Sequence, residues 1–185
     1  MPRVNIIEEE DGQMKTIFSK QRLVTGVLLL AIIVLLEWVL HHFMLPTWPV
    51  FMVMVFVFMS HQDNKEIPKI LVGGAFGIFN FVLLKYWMGL TVASFGIWES
   101  SIAYVCIFVF CIVLFMDALP IVFNNYAFMY FLVTAVAASL PKPNPMLWIG
   151  CELIGGAVVV ILLMGLTKAV ALIMGAPAES HDLKA

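Results

Sequence analysis

Six long apolar runs, separated by short polar or proline-bearing stretches, set the terms on which this chain can fold. From Leu23 to His42 the sequence is almost wholly apolar, with Glu37 as its one acidic residue. A helix needs roughly 20 such residues to cross a hydrocarbon core ~30 Å thick. Further runs of the same kind place helices over about 46–60, 70–87, 100–117, 119–140 and 146–174. With 63% hydrophobic and 12% charged residues, and a mean hydropathy of +1.03, the chain carries more apolar surface than a water-facing exterior can absorb. The expected fold is an all-α membrane protein of six transmembrane helices, with the lipid bilayer as its solvent.

Proline punctuates the runs. Pro46 and Pro49 precede or open the second helix, Pro120 opens the fifth, and Pro141, Pro143 and Pro145 separate the fifth from the sixth. Proline lacks the amide hydrogen that a continuing helix requires, so these positions read as helix breaks. Basic residues set the orientation. With the N-terminus inside, Arg3, Lys15, Lys20, Arg22, Lys65, Lys69, Lys168 and Lys184 are cytoplasmic, and Lys85 and Lys142 are outside. The tails, 1–22 and 175–185, are therefore both expected in the cytoplasm, as an even number of spans demands. The acidic stretch from Glu8 to Asp11 does not resemble the basic start of a signal peptide, so the first helix is expected to remain as an anchor.

Other classes are set aside on composition. A net charge of −2 and a pI near 6.0 offer no basic patch for nucleic acid. Cys106, Cys111 and Cys151 all lie in apolar runs, without the spacing of a metal or redox motif, and read as small packing residues.

The two halves share landmarks in the same order. Gly73-Gly74-Ala75 in the third helix is matched by Gly155-Gly156-Ala157 in the sixth. Leu45-Pro46 precedes the second helix and Leu119-Pro120 the fifth, with Phe51 and Phe123 following; Glu37 and Asp117 close the first and fourth helices. Three helices per half is an odd number, so a repeat would be inverted, an arrangement that recurs in transporters with the pathway between the halves. Short apolar stretches with Gly and Pro also resemble one another by chance, and the spacings differ.

The chain resembles a family of six-helix bacterial inner-membrane proteins, grouped as a domain of unknown function, that includes small proteins of enteric bacteria. The resemblance rests on Trp48 with Phe51, on Ser101 to Phe110 with Tyr104, and on Leu119-Pro120-Ile121-Val122-Phe123. Thr134-Ala135-Val136-Ala137 and the Gly155-Gly156 pair extend it, from about Thr25 to Leu172. The chain departs from the family at Pro49, Asn124 and Asn125, and in its longer charged N-terminal tail. The resemblance implies six spans and an inner-membrane location; it implies no activity.

Ionisable and amide groups within lipid are costly, so each needs a reason. Glu37 has His41 four residues on, on the same helical face, as a pair able to titrate or attract a cation; placement in the wetted headgroup zone is the plainer account. Glu152, beside the Gly pair, and Lys85 lie at comparable depth, which permits a Glu152–Lys85 or Glu37–Lys85 ion pair, although a lysine also snorkels unaided. Asn80, at mid-membrane, and Asn124 and Asn125, after Pro120, either line a polar path or serve as interhelical glue. Gly73-x-x-x-Gly77 suits close helix packing or oligomerisation.

These features favour a channel or transporter for a small solute, with Glu37, Asn80, Asn124, Asn125 and Glu152 along the path, and a homo-oligomeric assembly. A non-transporting accessory protein packed against a membrane partner is the alternative. An enzyme is the weakest reading. No nucleophile–base constellation, metal cluster or phosphate loop stands out, and a haem would want paired intramembrane histidines, so no cofactor is expected.

Overall fold

A computed structural model of the protein describes residues 20–139 and 141–174. The expected tails, apart from residues 20–22, lie outside the described residues, and with them Arg3, Lys15 and Lys184. The described chain is all-helical. Its elements are α1 (Lys20–His42), α2 (Trp48–Met59), α3 (Ile67–Phe95), α4 (Ile97–Phe115), α5 (Asn125–Ala137), α6 (Pro145–Gly150) and α7 (Gly156–Met174). A π-helical turn, Cys151–Gly155, joins α6 to α7, so that Pro145–Ile173 acts as one 29-residue rod. Counted so, there are six helices. Four of them (α1, α3, α4 and the rod) are long and apolar enough to cross a membrane.

The other two are half-length. Helix α2 has 12 residues and α5 has 13, roughly 18–20 Å at 1.5 Å per residue. The expected fifth helix, 119–140, is thus too long, and Pro120 does not open it. Residues 116–123 instead form a series of turns, held by Leu119 N–H to the Phe115 carbonyl at 2.8 Å and Phe123 N–H to the Leu119 carbonyl at 2.9 Å. Asn124 then starts α5 by accepting the Ala127 amide at 3.0 Å, as an N-cap does. Pro46 lies in the irregular connection before α2, whereas Pro49 sits in its first turn, where the missing N–H costs little.

Helix α3 runs further than expected. The connector read over Met88–Glu99 is helical to Phe95, and Gly96 alone makes the break. Its φ of 90° is a conformation that a Cβ would strain, and α4 begins at the next residue.

The described residues fall into two compact units. One contains α1 and the part of α7 from Ile161. Within it, Leu28, Ile32 and Leu35 of α1 and Ile161, Gly165 and Ala169 of α7 line an apolar cleft of about 480 Å³. The other unit, Met44–Val160, is built on glycine. A Cβ on Gly73 would stand 2.5 Å from Asn124 Oδ1, and one on Gly77 would collide with the Ala127 carbonyl oxygen. Helices α3 and α5 therefore run parallel in near backbone contact. Similarly, a Cβ on Gly155 would stand 2.6 Å from Val50 Cγ2, and one on Gly156 2.7 Å from Val53 Cγ2. The rod and α2 are thus also parallel and close.

Gly73-x-x-x-Gly77 accordingly packs two helices of the same chain, so a homo-oligomer would have to use another surface. A core of Phe81, Leu84, Phe108, Ile112 and Phe131 ties α4 to α3 and α5. The outer faces of α1 and α4 expose Leu30, Val34, Trp38, Phe110 and Val113, the apolar exterior that lipid favours. Cys106 is exposed too, in contrast to the packing role read for it; Cys151 is buried.

The glycine contacts make a sharp prediction. Gly77→Ala forces the α3 and α5 backbones apart and should destabilise the protein by about 1–3 kcal/mol. Gly89→Ala, where nothing lies within 4 Å of the added methyl, should be neutral or slightly stabilising. Thermal unfolding of the two variants in detergent measures the contrast.

Candidate functional site: a buried carboxyl among aromatic rings

The half-length helices bring polar side chains to the middle of the Met44–Val160 unit. Glu152 lies in the π-helical turn, where the wider backbone departs from the regular α ladder, a deviation often found at functional sites. Its side chain is 0% exposed, and neither carboxyl oxygen has a hydrogen-bond partner. Glycine makes room for it: a Cβ on Gly74 would stand 2.6 Å from Glu152 Oε1 and 2.7 Å from Tyr130 Cε2. A buried carboxyl without donors is costly in proportion to its charge. The fold therefore carries Glu152 at a cost.

The Tyr130 ring lies beside it, and further aromatic rings pack on Tyr130. Tyr130 is fully buried and donates its hydroxyl to the Pro49 carbonyl at 3.0 Å, which ties α5 to the start of α2. Trp48 packs against Tyr130 at 6.4 Å and edge-on against Trp148 at 5.4 Å. Trp148 lies one helical turn before Glu152. Phe56 continues the series, 5.6 Å from Tyr130 and 5.1 Å from Tyr126. Trp48 Nε1 and Thr134 Oγ1 are likewise buried without a partner.

Tyr126, at the far end of this series, opens on a cleft of about 490 Å³ lined among others by Phe56, Glu66, Lys69, Asn124 and Asn125. Lys69 and Glu66 form an ion pair at 2.5 Å at its edge, and the Tyr126 hydroxyl donates to Glu66 Oε2 at 3.2 Å.

The residues singled out from sequence fall into distinct settings. Asn124 is buried and fully engaged: its side-chain nitrogen donates to the Lys69, Pro120 and Ile121 carbonyls at 3.2, 2.9 and 3.1 Å. It is a cap and a brace. Asn80 is also satisfied, donating to the Phe76 carbonyl at 2.9 Å and accepting the Tyr104 hydroxyl at 3.2 Å. Asn125 is exposed and faces the cleft.

Glu37 and His41 are both exposed on α1, and no hydrogen bond or ion pair joins them. Lys85 lies 5.2 Å over the Phe81 ring instead of pairing with Glu152. Of the candidates, the structure gathers Asn124 and Asn125 at the cleft and buries Glu152 beside Tyr130. Pro46 and Pro120 serve as breaks, and Pro49 as the acceptor for Tyr130.

Sequence reasoning passed over Tyr130 and Trp148 as members of this cluster. One signal was present: Tyr126, Tyr130 and Thr134 recur every four residues, a hydroxyl stripe along one face of α5. Among the described residues no three His, Cys, Asp or Glu side chains converge as a metal site would require. No family model matches the chain, and no curated protein or solved structure matches it either.

If Glu152 is retained at a cost to the fold, removing its carboxyl should stabilise the protein. Glu152→Leu is expected to raise stability by about 1–3 kcal/mol, the usual penalty of an unsatisfied buried polar group. Denaturant unfolding in detergent gives the comparison, and a less stable Glu152→Leu would mean that the carboxyl is a structural partner after all.

Proposed function

We propose that the protein is a multi-pass inner-membrane channel or transporter for a small solute, built from two inverted three-helix halves, with Glu152 at the centre of its path. The observation that carries the reading is the unpartnered, fully buried carboxyl in a π-helical turn packed on the half-length α2 and on α3. An intramembrane ionisable group without a structural partner is by default a functional one.

Helix lengths support the halves. They run 23, 12 and 29 residues in the first and 19, 13 and 29 in the second. Packing supports them too: the Gly73-Gly74 helix lies parallel to α5, and the Gly155-Gly156 rod lies parallel to α2, the exchange of partners that an inverted repeat entails. Short middle helices that stop within the bilayer, braced by protein, are a device of transporters. The 490 Å³ cleft supplies a vestibule on the side where α3 begins, the cytoplasmic side by the distribution of basic residues. Phe56 and Tyr126 stand between it and Tyr130.

The alternative, an accessory protein packed against a membrane partner, draws support from the satisfied hydrogen bonds of Asn80 and Asn124, which serve cohesion and not a passage.

Stopped-flow permeability of proteoliposomes, with a panel of small neutral, anionic and cationic solutes, separates the two. Transport predicts a solute whose flux exceeds that of empty vesicles and drops at least tenfold in Glu152→Gln. Absence of flux for every solute, with a second membrane protein copurifying at fixed ratio, would establish the accessory role. Independently, tags on the two termini should both be reached only from the cytoplasmic face; tags found on opposite faces would remove the inverted halves.

A further inference from the structure

We propose that Glu152 is a proton-binding site and that the proton it carries is the coupling ion of transport. The inference deepens the transport reading and rests on its choice of Glu152 as the centre of the path.

What faces the carboxyl leads to it. Glu152 is fully buried, and neither of its oxygens has a hydrogen-bond partner. The turn that bears it continues α6 and packs on α2 and α3. Helices α2 and α6 contain no ionisable residue. On α3, Lys69 is paired with Glu66, Lys85 is exposed and lies over the Phe81 ring, and Tyr86 is exposed. Helix α5 contributes Tyr130, whose ring lies beside Glu152 at Gly74 and whose hydroxyl is donated to the Pro49 carbonyl. Cys151, next in the chain, is buried. The other basic side chains of the Met44–Val160 unit, His61, Lys65 and Lys142, are exposed, as is Lys168 on α7.

No cation therefore stands beside Glu152 to balance a negative charge. A carboxylate stripped of water, with neither a cation nor a donor in exchange, is far less stable than the neutral acid. In this setting Glu152 keeps its proton. It releases that proton only when water or a donor reaches it, which requires the packing at Gly74 and Tyr130 to change. Proton release and conformational change are then one event, the property that a coupling site needs. In each cycle the carboxyl takes a proton from water on one side of the membrane, changes state as the neutral acid, and gives the same proton to water on the other. Carboxyls within membrane helices serve as proton relays in this way.

The test uses the full-length protein in liposomes. At pH 7 its infrared spectrum should contain the carbonyl band of a protonated carboxylic acid, and the band should shift only slowly on transfer to heavy water. It should be missing from Glu152→Gln and from Glu152→Leu, the second of which is expected to gain stability. Absence of the band from the unaltered protein, or its survival in either folded variant, overturns the proton site. Glu152 is the only buried acid among the described residues, so the unaltered protein decides the matter even if neither variant folds. For coupling, uptake of the solute identified by the permeability panel should be at least fivefold faster under one sign of pH gradient than under the other. Whatever flux remains in Glu152→Gln should be equal under both.

The two readings fail differently. A Glu152-dependent band without flux of any solute keeps the proton site and removes transport. Flux from a protein that lacks the band, or flux indifferent to the sign of the gradient, keeps transport and removes proton coupling.

Discussion

The approach of α3 to α5 at Gly73, Gly74 and Gly77 is the constraint on which the Met44–Val160 unit is built. With a side chain at any of the three, the helix axes would have to separate, and three features would be lost together. Asn124 would no longer reach the Lys69 carbonyl, the Ala127 backbone would leave α3, and the space beside Tyr130 that admits the Glu152 carboxyl would close. In lipid, helices gain little from the hydrophobic effect when they associate, so close van der Waals contact and interhelical hydrogen bonds must hold them. Glycine supplies the first and permits the second. The Gly155-Gly156 pair against α2 repeats the solution with different partners.

Short helices in such an environment create their own difficulty, because each end leaves backbone groups without partners. The protein meets this locally. Asn124 caps α5 with its oxygen and braces the preceding turns with its nitrogen. At α2, a proline in the first turn removes one orphan amide, and the Tyr130 hydroxyl, donated to the Pro49 carbonyl, ties that helix start to α5. Buried polar atoms without a partner are few among the described residues of this unit: Trp48 Nε1, Ser100 Oγ, Thr134 Oγ1 and the two Glu152 oxygens. Of these, Glu152 alone is an acid, and its two oxygens serve no backbone group and no neighbouring side chain.

Much of this was legible in the sequence, and the remainder was hidden for identifiable reasons. Helices α1 and α4 fall within three residues of the apolar runs that announce them. The fifth helix was drawn too long, because Leu119-Pro120-Ile121-Val122-Phe123 is as apolar as a helix yet forms turns; hydropathy measures affinity for lipid and is silent about backbone conformation. Helix α3 was drawn too short because the stretch Met88–Glu99 is less apolar than its flanks, whereas the Thr91 hydroxyl bonds the Trp87 carbonyl and is absorbed by the helix. Among candidate site residues, spacing alone suggested Glu37 with His41, but no bond joins the two. Glu152 was legible as a costly carboxyl beside two glycines. Its place beside Tyr130 was not, nor the packing of Trp48 on Tyr130 and Trp148, since these rings come from three separate helices and only the fold assembles them.

The π-helical turn at Cys151–Gly155 has a mechanical meaning as well. A π turn contains about one residue more than an α turn, and one residue of an α-helix corresponds to about 100° of rotation about its axis. Tightening such a turn to α geometry, or passing the surplus residue to the adjacent turn, re-aims the side chains on one side of it relative to those on the other without breaking the helix. Glu152 sits on that surplus. Within the rod, this turn is where the facing of the Glu152 side chain can change without a break in the helix.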